Sequence, residues 1–184
     1  MNRFSKYLSL FTLVFLIAAC GGNGTEEQPA SEAAPADDGV RTIDVIGIDM
    51  MRFVVASDEE GITVGEQHGN EYELLEINAS PGEELRINLE VRSQIPATAM
   101  SHNFAILDLG TDVGQFINQS AAAADNEYIA VAFEEDIIVT TRMLGGGESD
   151  SIQLTVPDEP GEYTFVCSFP GHYGAGMRGV LIVE

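Results

Sequence analysis

From Glu84 to Arg92 the chain alternates without a break, Leu85, Ile87, Leu89 and Val91 on one side against Glu84, Arg86, Asn88, Glu90 and Arg92 on the other. A period of two puts these sets on opposite faces of a strand, one buried and one wet, and no helix accommodates it. Ser80, Pro81 and Gly82 just before it form a turn signal. β-rich runs recur along the chain in RTIDVIG, DMMRFVVA, GITVGEQHG, EYELLEINA, IIVTTRML and SDSIQLTVP. Near the end Tyr163, Phe165 and Cys167 share one face and Thr164, Val166 and Ser168 the other, and Gly179 to Glu184 supplies a final strand. One stretch departs from this period. Val113, Phe116, Ile117 and Ala121 follow helical spacing, with Asp112 and Gln115 as a capping pair, which predicts a helix of about three turns. Many short strands separated by turns, with one short helical insertion, predict an all-β fold, a two-sheet antiparallel β-sandwich over residues 41–184.

The first forty residues belong to a different class. Arg3 and Lys6 precede an apolar run from Leu8 to Ala19, too short to span a bilayer as an ordinary transmembrane helix, so residues 1–19 are expected to be a signal peptide. Ile17, Ala18, Ala19 and Cys20 resemble the lipobox of bacterial lipoproteins, which implies cleavage before Cys20 and lipidation of its thiol. Residues 20–40, built of Gly, Ala, Pro, Ser and acids, are expected to form a disordered acidic tether. The location this predicts is the cell envelope, on the periplasmic or extracellular face of a membrane.

Cysteine and charge then exclude several function classes. The chain has 2 Cys, and with Cys20 taken by lipid, Cys167 has no partner for an intramolecular disulfide in an oxidising compartment. Loss of Arg3 and Lys6 takes the net charge from −22 to about −24, with no Lys left. Nucleic acid is therefore excluded as a partner, since phosphate binding needs clustered cations. Such a surface is expected instead to steer the domain toward a basic face on a partner protein.

The unpaired thiol lies in CSFPGHYGAGM, which offers Cys167, His172 and Met177 within one short segment. His102, in AMSHNF, shares a face with Phe104 and Ile106 and so points where the core residues point. The loop from Ser168 to Gly176 joins two terminal strands and would bring its three donors to one end of the sandwich, with His102 arriving on a separate strand. Two imidazoles, a thiolate and a weak axial thioether form the donor set of a type 1 copper ion, and thioether is a poor zinc ligand. His68 sits in a turn with no soft donor beside it and is read as a surface residue.

Three stretches, IDVIGIDMMRF, AMSHNFAIL and FVCSFPGHYGAGMRGVL, give residues 41–184 a close resemblance to the cupredoxins, and within that family to the azurins and auracyanins. The resemblance implies a Greek-key β-sandwich and one copper held by His102, Cys167 and His172, with Met177 axial. It implies one-electron shuttling between redox proteins, such as a c-type cytochrome, an oxidase, or a respiratory or photosynthetic complex, by a monomeric, non-enzymatic carrier. Ser101 stands where azurins have Gly, whose carbonyl lies near the metal. Asn103 is similar to the family Asn that ties the two ligand segments together by hydrogen bonds. The gap from His172 to Met177 matches plastocyanin and is one residue longer than in azurins. Ile95, Pro96, Met100 and Met51 match apolar positions near the site in azurins and, with Phe169, Pro170, Gly171 and Tyr173, would form an electron-port patch around His172. Met51 serves either that patch or the core.

Two other functions are weighed on the same residues. Copper storage or delivery at the cell envelope would call for exposed clusters of Met or His, and none is rich enough here. An oxidase or nitrite reductase needs further His ligands, and only His68 remains.

Overall fold

In the computed structural model, which describes residues 39–184, the alternating stretch is a strand over its whole predicted length, Glu84–Arg92. Its four apolar side chains are fully buried. The elements in order are β1 (Arg41–Ile48), β2 (Arg52–Val55), β3 (Ile62–His68), β4 (Glu71–Ala79), β5 (Glu84–Arg92), β6 (Ala105–Leu107), α1 (Val113–Ser120), β7 (Ile137–Thr140), β8 (Ser149–Thr155), β9 (Gly161–Val166), α2 (His172–Ala175) and β10 (Arg178–Val183). Short 3-10 turns at Ala124–Asn126 and Val131–Asp136 lie between α1 and β7. The signal peptide, the lipidated Cys20 and the tether up to residue 38 lie outside the described residues. Among the described residues no helix is long and apolar enough to cross a membrane.

Hydrogen bonding runs along one path, β7-β6-β9-β10-β4-β2-β1-β5-β8, with β3 alongside β4. The predicted sandwich is thus a barrel-like sheet, its two faces joined through the β1–β2 hairpin. Most neighbours are antiparallel; β1 with β5 and β10 with β4 are parallel. Parallel neighbours cannot be joined by a hairpin, so both pairs require connections across the fold. The main core lies between the faces, with inward side chains from β1, β2, β4, β5, β8, β9 and β10. At the end that bears the site, Phe53, Phe104 and Phe165 pack with ring centroids 4.8 to 6.0 Å apart.

Two local expectations are corrected. The helix from Val113 has 8 residues rather than three turns. Its cap is as expected, since Asp112 Oδ1 accepts from Gln115 N at 3.0 Å and Asp112 Oδ2 from the Gln115 amide at 2.8 Å. It is Ser120 rather than Ala121 that completes the buried face. The Ser120 hydroxyl accepts from Ala130 N at 3.0 Å, which closes the excursion on itself.

The outer face of β9 is also covered. Val166 joins Ala105, Leu107, Phe116 and Ile129 in a separate small core, because the helical excursion folds over that face. The second correction is that His102 is not on a strand, since β6 starts at Ala105. His102 makes an isolated bridge with Leu144 instead, its N–H donating at 2.9 Å and its carbonyl accepting at 2.8 Å.

Candidate metal centre

The site forms where β9 runs out beside the His102 bridge. Cys167 is one residue past β9 and keeps the inward orientation of Tyr163 and Phe165. The connection to β10 then turns through α2. His172 N bonds Phe169 O at 3.1 Å, Met177 N bonds His172 O at 3.0 Å, and Cys167 N bonds Met177 O at 3.1 Å. Backbone hydrogen bonds therefore fix the relative positions of Cys167, His172 and Met177. The predicted loop contains a helical turn because Ala175 N and Gly176 N close onto Gly171 O and His172 O.

His102 is brought to this loop by a second set of contacts. Its ring lies over Gly47 in β1, where a Cβ would come within 3.1 Å of the ring carbons, so glycine leaves the space the imidazole fills. Asn103 links the two ligand segments. Its amide donates to Ser168 Oγ at 2.9 Å, and its Oδ1 accepts from Ser168 N at 2.8 Å. Both residues are buried.

The three ligating atoms of His102, Cys167 and His172 lie within 4.8 Å of one another. Cys167 Sγ is 3.4 Å from His172 Nδ1 and 4.0 Å from His102 Nδ1. Metal–nitrogen bonds of about 2.0 Å and metal–sulfur bonds of about 2.3 Å at tetrahedral to trigonal angles imply N···S edges of roughly 3.5 to 3.7 Å, so the set fits one ion. Met177 is fully buried beside it, and the Ser101 carbonyl oxygen lies 4.0 Å from the sulfur.

Burial controls the protonation of these groups. Burial and the charge of His172 push His102 down to about 4, with Asp49 acting in the opposite direction. Burial likewise brings His172 down to about 4. It pushes the Cys167 thiol up to about 12, although backbone N–H groups of Asn103 and Phe169 favour the thiolate. Neutral imidazoles are ready to coordinate, whereas the thiolate needs a cation to compensate its burial. Cys167 is a free, buried thiol. With two imidazoles and a thioether, its softness suits copper.

The assigned patch residues divide by exposure. Ile95, Pro96, Pro170 and Gly171 are exposed, Met51 and Tyr173 half-buried, and Met100 and Phe169 buried. Met51 packs against the main core and Tyr173 against the smaller one, with Arg178 4.6 Å above the Tyr173 ring. Met50, beside Met51, is 59% exposed.

Sequence reasoning missed Tyr128, whose ring meets Phe169 at 5.0 Å while Phe169 meets His172 at 4.7 Å. Tyr128 and Glu127 both have positive φ, 56° and 51°, costly for residues with a Cβ. The Glu127 carboxylate holds this bend by accepting from Met143 N at 3.0 Å. The bend places Tyr128 behind Phe169, and no local sequence signal announces it.

A β-sandwich of this topology with a buried His-Cys-His set defines a type 1 copper protein. The family described as copper binding proteins, plastocyanin/azurin family, matches residues 59–184, and the chain belongs to it. Azurin iso-2 of Methylomonas sp. (strain J) is 33% identical over 132 residues, spanning 70% of this chain and 99% of that protein. Azurin of Bordetella pertussis is 30% identical, over 83% of this chain and 89% of the relative. The sodium-dithionite-reduced auracyanin of Roseiflexus castenholzii superposes with a TM-score of 0.58 at 25% identity, covering 78% of this chain and 96% of that one.

Proposed function

We propose that this chain is a single-site type 1 copper protein that passes one electron at a time between redox proteins at the cell envelope. The observation that carries this reading is the buried His102–Cys167–His172 set, both Nδ1 atoms turned toward the sulfur, on segments fixed by the protein's own hydrogen bonds. Copper bound there supplies the Cu(I)/Cu(II) couple. The protein holds the donors in place, so that little rearrangement accompanies a change in charge. Phe169, packed against the His172 ring, keeps water from that donor, and Cys167 gives up its thiol proton on loading.

Electrons enter and leave at the His172 edge, which is 2% exposed beside the exposed Pro170 and Gly171. A small, weakly held contact there suits a carrier that must release its partner quickly. Excess negative charge favours a partner with a basic face, such as a c-type cytochrome, an oxidase or a respiratory or photosynthetic complex. The signal and lipobox pattern up to Cys20 supports tethering to a membrane by lipid.

The test is addition of Cu(II) to the purified protein, followed by visible absorption and EPR. An intense thiolate charge-transfer band that is lost in Cys167→Ser is the expected result. Its absence in the unmutated protein would end the electron-carrier reading.

A further inference from the structure

One cation reaches the backbone of the ligand loop from the start of β2. Arg52, the first residue of β2, donates from Nη1 to the carbonyl of Ala175, which lies 123 positions away, and to Met51 O at 2.9 Å. Its Nε pairs with Glu73 Oε1 on β4 at 2.9 Å, the two side chains being 27% and 18% exposed. The planar guanidinium also covers Gly176, where a Cβ would stand 3.0 Å from Cζ and from Nη1. Gly176 has φ of +111°, so both its backbone conformation and the approach of the arginine require glycine. Ala175 ends α2, where the last carbonyls have no helical partner, and Arg52 satisfies one of them.

We propose that Arg52, oriented by Glu73, is a positioning residue for the copper ligands. It clamps Ala175, the last residue of the α2 turn that begins at His172, and Gly176, which precedes Met177. This inference rests on the copper reading of the site and adds how the longer His172-to-Met177 gap is kept rigid. That gap holds one residue more than in azurins, and the arginine bonds the Ala175 carbonyl within it. Lysine cannot replace it, because a single ammonium cannot hold the Glu73 carboxylate and the two backbone carbonyls in the geometry of a planar fork. The clamp also places a fixed positive charge beside the loop, which favours the reduced, less charged metal, while Glu73 opposes that bias.

Two measurements on the detergent-solubilised full chain test the proposal. The first is amide hydrogen exchange of the metal-free protein, compared between wild type and Arg52→Met. The Gly176 and Met177 amides, which both bond His172 O, are expected to exchange at least tenfold faster in the variant. Amides of β5 remain unchanged, which shows that the fold is retained. Equal protection of Gly176 and Met177 in both proteins would overturn the clamp, whether or not the chain binds copper.

The second measurement is the reduction potential of the copper-loaded protein. Arg52→Met is expected to shift the Cu(II)/Cu(I) ratio at fixed ambient potential about tenfold toward Cu(II), a fall of about 59 mV for one electron. Glu73→Gln should move it the other way. Arg52→Lys is expected to keep most of the potential yet lose loop protection, separating charge from the fork; retained protection in Arg52→Lys would refute the fork. If the amides respond and no charge-transfer band forms in the wild type, the electron-carrier reading fails and the clamp stands as a structural feature.

Discussion

Asn103 is the most direct link between the two halves of the site, and its removal has a cost that can be worked from the structure. Replacing it with Leu keeps the branching and number of side-chain heavy atoms and leaves the Ser168 N–H and hydroxyl without their partners in a region from which water is excluded. A buried polar group left unpaired costs about 1 to 3 kcal/mol, so two cost about 2 to 6 kcal/mol. Against a total stability of roughly 5 to 15 kcal/mol this is a large fraction. For a domain of this size about 2 to 4 °C of melting temperature corresponds to each kcal/mol, which predicts a fall of roughly 4 to 24 °C. The assay is thermal denaturation of the metal-free protein, because a bound ion would add its own stabilisation to the folded state. A cycle with Ser168→Ala isolates the hydroxyl, and a coupling of about 1 kcal/mol or more is expected for directly bonded partners. Coupling below about 0.5 kcal/mol, or an unchanged melting temperature for Asn103→Leu, would refute the claim that this pair ties the ligand segments together.

Two further outcomes follow from the same site. Without metal, both folded imidazoles titrate near 4 against about 6.5 in the unfolded chain, so between these values the unfolded state binds more protons and stability falls as pH is lowered. The loss reaches about 3 kcal/mol for a ring over the full window, less than twice that for both because His172 contributes to the depression of His102. Urea titrations from pH 7 to 4 should show a shallower acid slope in His172→Gln than in wild type, and equal slopes would contradict this assignment. At Gly47 the added methyl of Gly47→Ala would sit 3.1 Å from the His102 ring, forcing it to move. A stability loss of about 1 to 3 kcal/mol by urea denaturation, with an altered copper EPR spectrum, is expected from such overpacking.

The parts of the fold that could be read in the sequence are those where burial alone decided the structure. The Glu84–Arg92 strand was legible to the residue because its two faces meet water and core, and register follows from that difference. His102 was correctly placed on an inward row but wrongly on a strand. Period two persists through it, yet the Phe104 N–H goes to the Thr141 hydroxyl at 2.9 Å and interrupts the ladder. The turn of α2 was hidden because HYGA and its flanking glycines have low helical propensity. Contacts made elsewhere impose that conformation, including the Arg52 bond to Ala175. Arg52 itself looks like any polar residue opening a strand. What gives it a role is a partner 123 residues away, and local pattern carries no such information.

These contacts bear on why the chain can hold a redox metal rather than only bind one. Three sets of bonds fix the donors: the His102–Leu144 bridge, the Asn103–Ser168 pair, and the backbone bonds among Cys167, His172 and Met177. Each is made between protein groups, so the donors are positioned whether or not an ion is present. The thiol is different in kind, since burial opposes its ionisation and the bound cation must supply the compensation. Geometry is thus set by the fold and charge by the metal. A site so divided has no structural reason to relax when the metal gains or loses an electron, because the bonds that place its ligands do not depend on the charge that changes. The expected consequence is a small reorganisation on electron transfer, and the Arg52 bond to Ala175 adds a side-chain anchor to a loop already closed by backbone bonds.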